Sequence, residues 1–148
     1  MKRTILFLAS SLAAVLAAAP HASAQTRWDY SVTVRASDWD PAVNPGGVPV
    51  YVLGPTQQLS LTDVIMTHNL STTTGTFRAN IKRGPASNPT PCATAPGALL
   101  TPYVSPLETV SLNLSTGIAF QPGDQICVVV GGASGTSGIT FNFSGVTN

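Results

Sequence analysis

Apolar side chains recur in this chain at every second position, in short runs, and outside the N-terminal stretch never at helical spacing. A period of two is the spacing of a strand with one buried face. Trp28, Tyr30, Val32 and Val34 share one parity, while Asp29, Ser31, Thr33 and Arg35 share the other, which predicts a half-buried strand over Trp28 to Arg35. Val48 to Leu53 predicts a second strand, stopped by Gly54-Pro55. Its Pro49 lacks the N–H that a ladder needs and belongs at an edge or a strand start. Gln58 to Thr67 predicts a third strand whose phase slips midway. Leu59 and Leu61 keep one parity, Val64 and Met66 the other, and a bulge around Thr62-Asp63 reconciles them.

His68-Asn69 then opens a polar turn running to Gly75, and Thr76 to Lys82 resumes alternation with Phe77, Ala79 and Ile81 inward. The stretch from Gly84 to Pro106 carries Pro85, Pro89, Pro91, Pro96, Pro102 and Pro106, with one short strand expected at Ala98 to Val104. Glu108 to Leu114 alternates again. Gly117 to Phe120 leads into Gln121-Pro122-Gly123-Asp124, read as a type II hairpin turn. Proline presets φ at its second position and glycine accepts the positive φ at its third. Ile126 to Val130 is β-branched apart from Cys127, and Gly138 to Val146 closes the chain with Ile139, Phe141 and Phe143 on one face.

Seven or eight such strands predict an all-β fold, a single antiparallel β-sandwich. Jelly-roll winding is favoured over an immunoglobulin-like one. Both tryptophans, Trp28 and Trp39, precede Cys92, so the immunoglobulin order of Cys, Trp and Cys is absent.

Lys2 and Arg3, an apolar run from Ile5 to Ala19 and the Ala22-Ser23-Ala24 site predict a signal peptide over residues 1–24, with the β-sandwich domain over 25–148. No other stretch is long enough to span a membrane as a helix. The expected localisation is secreted or periplasmic. In that oxidising setting Cys92 and Cys127, the only two cysteines, are expected to form a disulfide. The domain carries Arg27, Arg35, Arg78, Lys82 and Arg83 against Asp29, Asp38, Asp40, Asp63, Glu108 and Asp124. One net negative charge argues against nucleic acid as a partner.

The ionisable residues are few. Asp38, Asp40 and Asn44 place oxygen ligands in one Gly/Pro loop, the only candidate metal site, for calcium. The competing reading is that such aspartates simply initiate turns. Trp39, Tyr51 and Tyr103 are candidate glycan-stacking residues, whereas Trp28 and Tyr30 read as core by their parity. His68 is the only histidine after the leader, and the offset of five from Asp63 puts the two on opposite faces of a regular strand. No Gly-x-Ser-x-Gly elbow supplies a nucleophile, and Glu108 is the sole glutamate. Asn69, Asn113 and Asn142 match the glycosylation pattern by chance in a Ser/Thr/Asn-rich chain.

No cofactor beyond calcium is implied. The chain reads as a non-catalytic structural or adhesive subunit at or outside a bacterial envelope. Its partners would be further copies of itself or a cell-surface molecule. A secreted carbohydrate-binding module is the alternative, and a small hydrolase the least supported reading.

Overall fold

A computed structural model describes residues 24–38, 40–42, 45–68, 76–87, 92, 97–131 and 138–148. Residues 1–23 of the leader expected over 1–24 lie outside that set, as do Trp39, Asn44 and the turn expected from Asn69 to Gly75. Eight strands follow in order: β1 (Thr26–Arg35), β2 (Val48–Val52), β3 (Leu59–His68), β4 (Phe77–Gly84), β5 (Tyr103–Val104), β6 (Thr109–Phe120), β7 (Gln125–Gly131) and β8 (Gly138–Thr147). One turn of 3₁₀ helix, Ala36–Asp38, follows β1.

They form two four-stranded antiparallel sheets, sheet A in the order β1-β8-β3-β6 and sheet B in the order β2-β7-β4-β5. The molecule is the β-sandwich that the alternation predicts. Its pairing is nested: β1 lies on β8, β2 on β7, β3 on β6 and β4 on β5. Every connection except β4 to β5 therefore crosses from one sheet to the other.

The inner faces meet in one core. Phe77, Phe120, Phe141, Phe143, Met66 and Ile81 are fully buried there, with the rings of Phe141 and Phe143 stacked 5.8 Å apart. Strand β7 is buried on both faces. Ile126, Val128 and Val130 face the core, while Cys127 and Val129 are covered from outside. The cover over Cys127 is Cys92, to which it is disulfide-bonded with a Cα separation of 5.6 Å. Gly47, at φ 125°, lies against Val129, where a Cβ would sit 2.9 Å from both the Val128 carbonyl and the Val129 side chain.

Local irregularities set the faces. The register of β3 against β8 shifts by one residue between Leu61 and Asp63, so the bulge falls at Thr62 as the phase slip requires. Against β6 the same point is opposed by four residues, Leu114 to Gly117, and Gly117 turns at φ 67°. The segments expected as two strands, either side of residues 115–116, are thus one long edge strand with an insertion. The strand expected over Ala98 to Val104 is shorter, only Tyr103–Val104. Pro102 has no N–H to donate, and upstream the chain meets β4 at an isolated bridge from Leu100 to Ile81 and through the Pro102 carbonyl, which accepts from the Ala79 N–H at 3.0 Å.

The turn Gln121-Pro122-Gly123-Asp124 has the type II form, with Gly123 at φ 79° and the Asp124 N–H donating to the Gln121 carbonyl at 3.0 Å. It is not a hairpin. Type II geometry splays its flanking strands, unlike the primed turns that match strand twist, and here β6 enters sheet A while β7 enters sheet B. Asp124 is only 6% exposed. Its carboxylate accepts from the Gln121 N–H at 2.8 Å and the Ala86 N–H at 3.2 Å, and its carbonyl accepts from the Leu53 N–H at 2.9 Å. Ser105-Pro106-Leu107-Glu108 repeats the device. Leu107 sits at φ 59°, and the Glu108 carboxylate accepts from the Ser105 N–H at 2.6 Å. Those hydrogen bonds hold the Glu108 carboxyl below its ordinary pKa.

Two stability predictions follow from these contacts. Asp124→Ala leaves the Gln121 and Ala86 N–H groups without their charged acceptor and should cost about 1–3 kcal/mol by denaturant unfolding, with Asp124→Asn recovering part of the loss. Replacing both Cys92 and Cys127 by serine opens a 35-residue loop. On the chain-entropy account it should lower stability by about 3–4 kcal/mol, read as a fall in the urea midpoint with a steeper slope, since the unlinked denatured chain is more expanded.

Candidate functional site

Sheet A presents its outer face as a grid, because its four strands are in register. Thr33, Thr140, Thr67 and Thr109 form one row across β1, β8, β3 and β6. Ser31, Asn142, Ile65 and Ser111 form the next, and Asp29, Ser144, Asp63 and Asn113 the third. Alternation puts all of these on the side away from the core, whose partners in the same strands are Val32, Val34, Val64, Met66, Phe141 and Phe143.

The polar groups of the grid hold one another in place. The hydroxyls of Thr33 and Thr140 are 2.8 Å apart, and those of Thr67 and Thr109 3.2 Å. The Asp63 carboxylate accepts from the Asn113 amide at 2.9 Å and the Thr62 hydroxyl at 2.7 Å. Asp29 is held by the Ser144 hydroxyl opposite it and by the Arg27 guanidinium at 2.8 Å, which together lower its pKa. A shallow depression of about 240 Å³ lies along β1 and β8, lined by Asp29, Tyr30, Ser31, Asn142, Phe143 and Ser144. Ile65 is the only large apolar side chain in the grid. The arrangement offers fixed hydroxyl, amide and carboxylate groups on a broad sheet surface, suited to hydrogen bonding with a polar, extended partner.

The residues singled out from sequence are distributed differently. Tyr51 and Tyr103 do not share a platform: β2 and β5 are opposite edges of sheet B, three strand spacings or about 14 Å apart. Tyr51 packs in an aromatic cluster, 4.9 Å from Trp28 and 5.0 Å from Tyr30 between ring centroids, and its hydroxyl meets Gln57 at 3.3 Å. A bulge at Val50 puts it there. An unbroken register would set Tyr51 opposite outward-facing Gln125, whereas the extra residue sets it opposite Ile126. Tyr103 is 60% exposed on its own edge. Trp39 and Asn44 lie outside the described residues. Asp38 and Asp40 serve the turns, their carboxylates accepting from the Arg35 N–H at 2.7 Å and the Ala42 N–H at 2.8 Å. Among the described residues no group of three or more His, Cys, Asp or Glu could hold a metal ion.

His68 does not open a turn. It is the last residue of β3 and fully buried, with its ring 4.4 Å from that of Phe77. The bulge precedes Asp63, so it does not bring the two together: His68 faces inward with Val64 and Met66, and Asp63 faces out. Neither ring nitrogen of His68 has a hydrogen-bond partner among the described residues.

The outward parity of the grid residues is visible in four separate stretches of sequence. That these stretches lie side by side is not, because it depends on strand order. No protein-family model matches the chain, and no curated protein matches it in sequence.

An imidazole buried without partners is a net cost that an apolar side chain of similar size avoids. His68→Leu should fold and equal or exceed the wild type in unfolding free energy, by about 1–2 kcal/mol at most. A clear loss of stability would show that the ring is satisfied in solution.

Proposed function

We propose that this is a small exported, non-catalytic β-sandwich protein that acts as a structural or adhesive subunit at or outside a bacterial cell envelope. The observation that carries the reading is the outer face of sheet A, a regular array of mutually hydrogen-bonded hydroxyls, amides and carboxylates across four strands. Such a face has its side-chain entropy already spent before a partner arrives, which favours contact over a broad area.

Export is supported by the leader pattern of residues 1–24 and by the disulfide, a bond that persists in oxidising compartments. Among the described residues no helix is long and apolar enough to cross a membrane. The non-catalytic reading is supported by the occupation of the carboxylates. Asp38, Asp40, Glu108 and Asp124 each serve a local turn, Asp29 and Asp63 each serve the sheet surface, and His68 stands apart in the core. General acid–base chemistry needs such groups to converge on one reacting atom. Jelly-roll winding is supported by the nested pairing of first strand with last, since an immunoglobulin-like sandwich instead places consecutive strands side by side.

One observation favours the carbohydrate-binding alternative: the depression along β1 and β8 combines Asp29, Ser31, Asn142 and Ser144, groups that hydrogen-bond sugar hydroxyls. Co-sedimentation of the purified exported protein with envelope fragments of the producing cell tests both readings. Thr109→Glu with Ser111→Glu, two exposed positions on the outer face, should reduce binding about tenfold, or 1.4 kcal/mol, without moving the unfolding midpoint. Unchanged binding would overturn the role of this face. Competition by soluble polysaccharide would move the assignment to the glycan reading.

A further inference from the structure

Two sheets have four outer edges, and an unprotected edge is a template for another strand. Three of the four carry a device against pairing. The β2 edge has Pro49 and the bulge at Val50, and the β5 edge is two residues long. The β6 edge is broken by the insertion from Leu114 to Gly117. Strand β1 has none of these, and among the described residues no strand pairs with its outer edge. Its ten residues run in unbroken register against β8, from Thr26 opposite Thr147 to Arg35 opposite Gly138, without proline, glycine or bulge.

The backbone shows which groups the open edge offers. The Arg35 N–H is directed to the Asp38 carboxylate at 2.7 Å, away from β8. The Thr26 carbonyl lies on the β8 side, where the Thr147 hydroxyl donates to it at 3.3 Å. Alternation then places the N–H and C=O of Arg27, Asp29, Ser31 and Thr33 on the open edge.

We propose that the edge is occupied by β1 of a second copy of this chain, antiparallel, about a twofold axis through Val32. Only registers with an even sum of positions keep core-side residues opposite core-side residues. Charge then selects among those that overlap seven residues or more. Centring on Tyr30 sets Asp29 diagonal to its own copy, and centring on Ser31 sets Arg27 against Arg35. Centring on residue 29 itself opposes two aspartates. With Val32 at the centre, Asp29 faces Arg35 of the second copy twice over, and Ser31 faces Thr33. In this register Ser31 and Thr33 exchange both backbone hydrogen bonds with their counterparts, and the Asp29 carbonyl of the second copy takes the Arg35 N–H from the Asp38 carboxylate.

The axis is normal to the sheet, so the dimer has one eight-stranded sheet with both polar grids on the same side. The inference names the partner for the subunit reading above and rests on that reading for its purpose, a doubled contact face.

Light scattering of the purified exported protein, with its disulfide intact, tests the pairing. The wild type should show twice the chain mass at micromolar concentration. Asp29→Arg opposes like charges and should give a monomer, and adding Arg35→Asp should restore the dimer. Ser31→Pro removes an N–H from the open edge alone, so it should give a monomer with its unfolding midpoint little changed. A monomeric wild type, or a dimer that survives Ser31→Pro, overturns the proposal. Envelope binding measured on the same samples separates the two ideas. A monomer that still binds through Thr109 and Ser111 leaves the subunit reading standing, and a dimer that does not bind leaves only the pairing.

Discussion

The carboxylate of Asp124 is the point at which the two sheets are tied together. It closes the turn that takes the chain from β6 in sheet A to β7 in sheet B, and it reaches the main chain of Ala86 just beyond β4. The same residue's carbonyl holds Leu53 at the end of β2. Three segments distant in sequence thus converge on one buried residue. An acceptor with two oxygens can satisfy several backbone donors at once, which few other groups of that size can do. The short connections at this end of the sandwich depend on it.

At the centre of sheet B the demand is different. Strand β7 has partners on both edges and side chains buried on both faces, so an outward residue there needs cover that no third layer provides. The disulfide supplies it. Cys92 lies over Cys127, in the middle of the sheet, while the close approach of Gly47 covers Val129. A small domain with a limited core gains from this arrangement twice, through the covalent link and through the apolar surface that it hides.

Much of this was legible in the residues. Alternation located most of the strands, the slip between Leu61 and Val64 located a bulge, and Pro122-Gly123 announced a type II turn. These are local properties, each decided by a few neighbouring side chains. Pairing is not local. The same Pro122-Gly123 turn was expected to make a hairpin, and only the positions of β2 and β4 show why β7 leaves β6. Tyr51 followed the same pattern: its alternation was readable, but the bulge that turns it inward is imposed by β7. The polarity of His68 points to a turn, yet it ends a strand beneath Phe77, where burial outweighs composition. The polar grid needed both levels, since parity named its residues and topology assembled them.

Nested pairing also governs when the fold can form. Thr33 meets Thr140 across 107 residues of sequence, and Thr26 meets Thr147 across 121. Sheet A is built around β8, which follows the other seven strands in sequence and lies between the first strand and the third. Until that strand is available β1 has no partner in the sheet and β3 has only β6. High contact order of this kind slows folding. The architecture itself keeps β1 unpaired until the strand furthest from it in sequence is in reach.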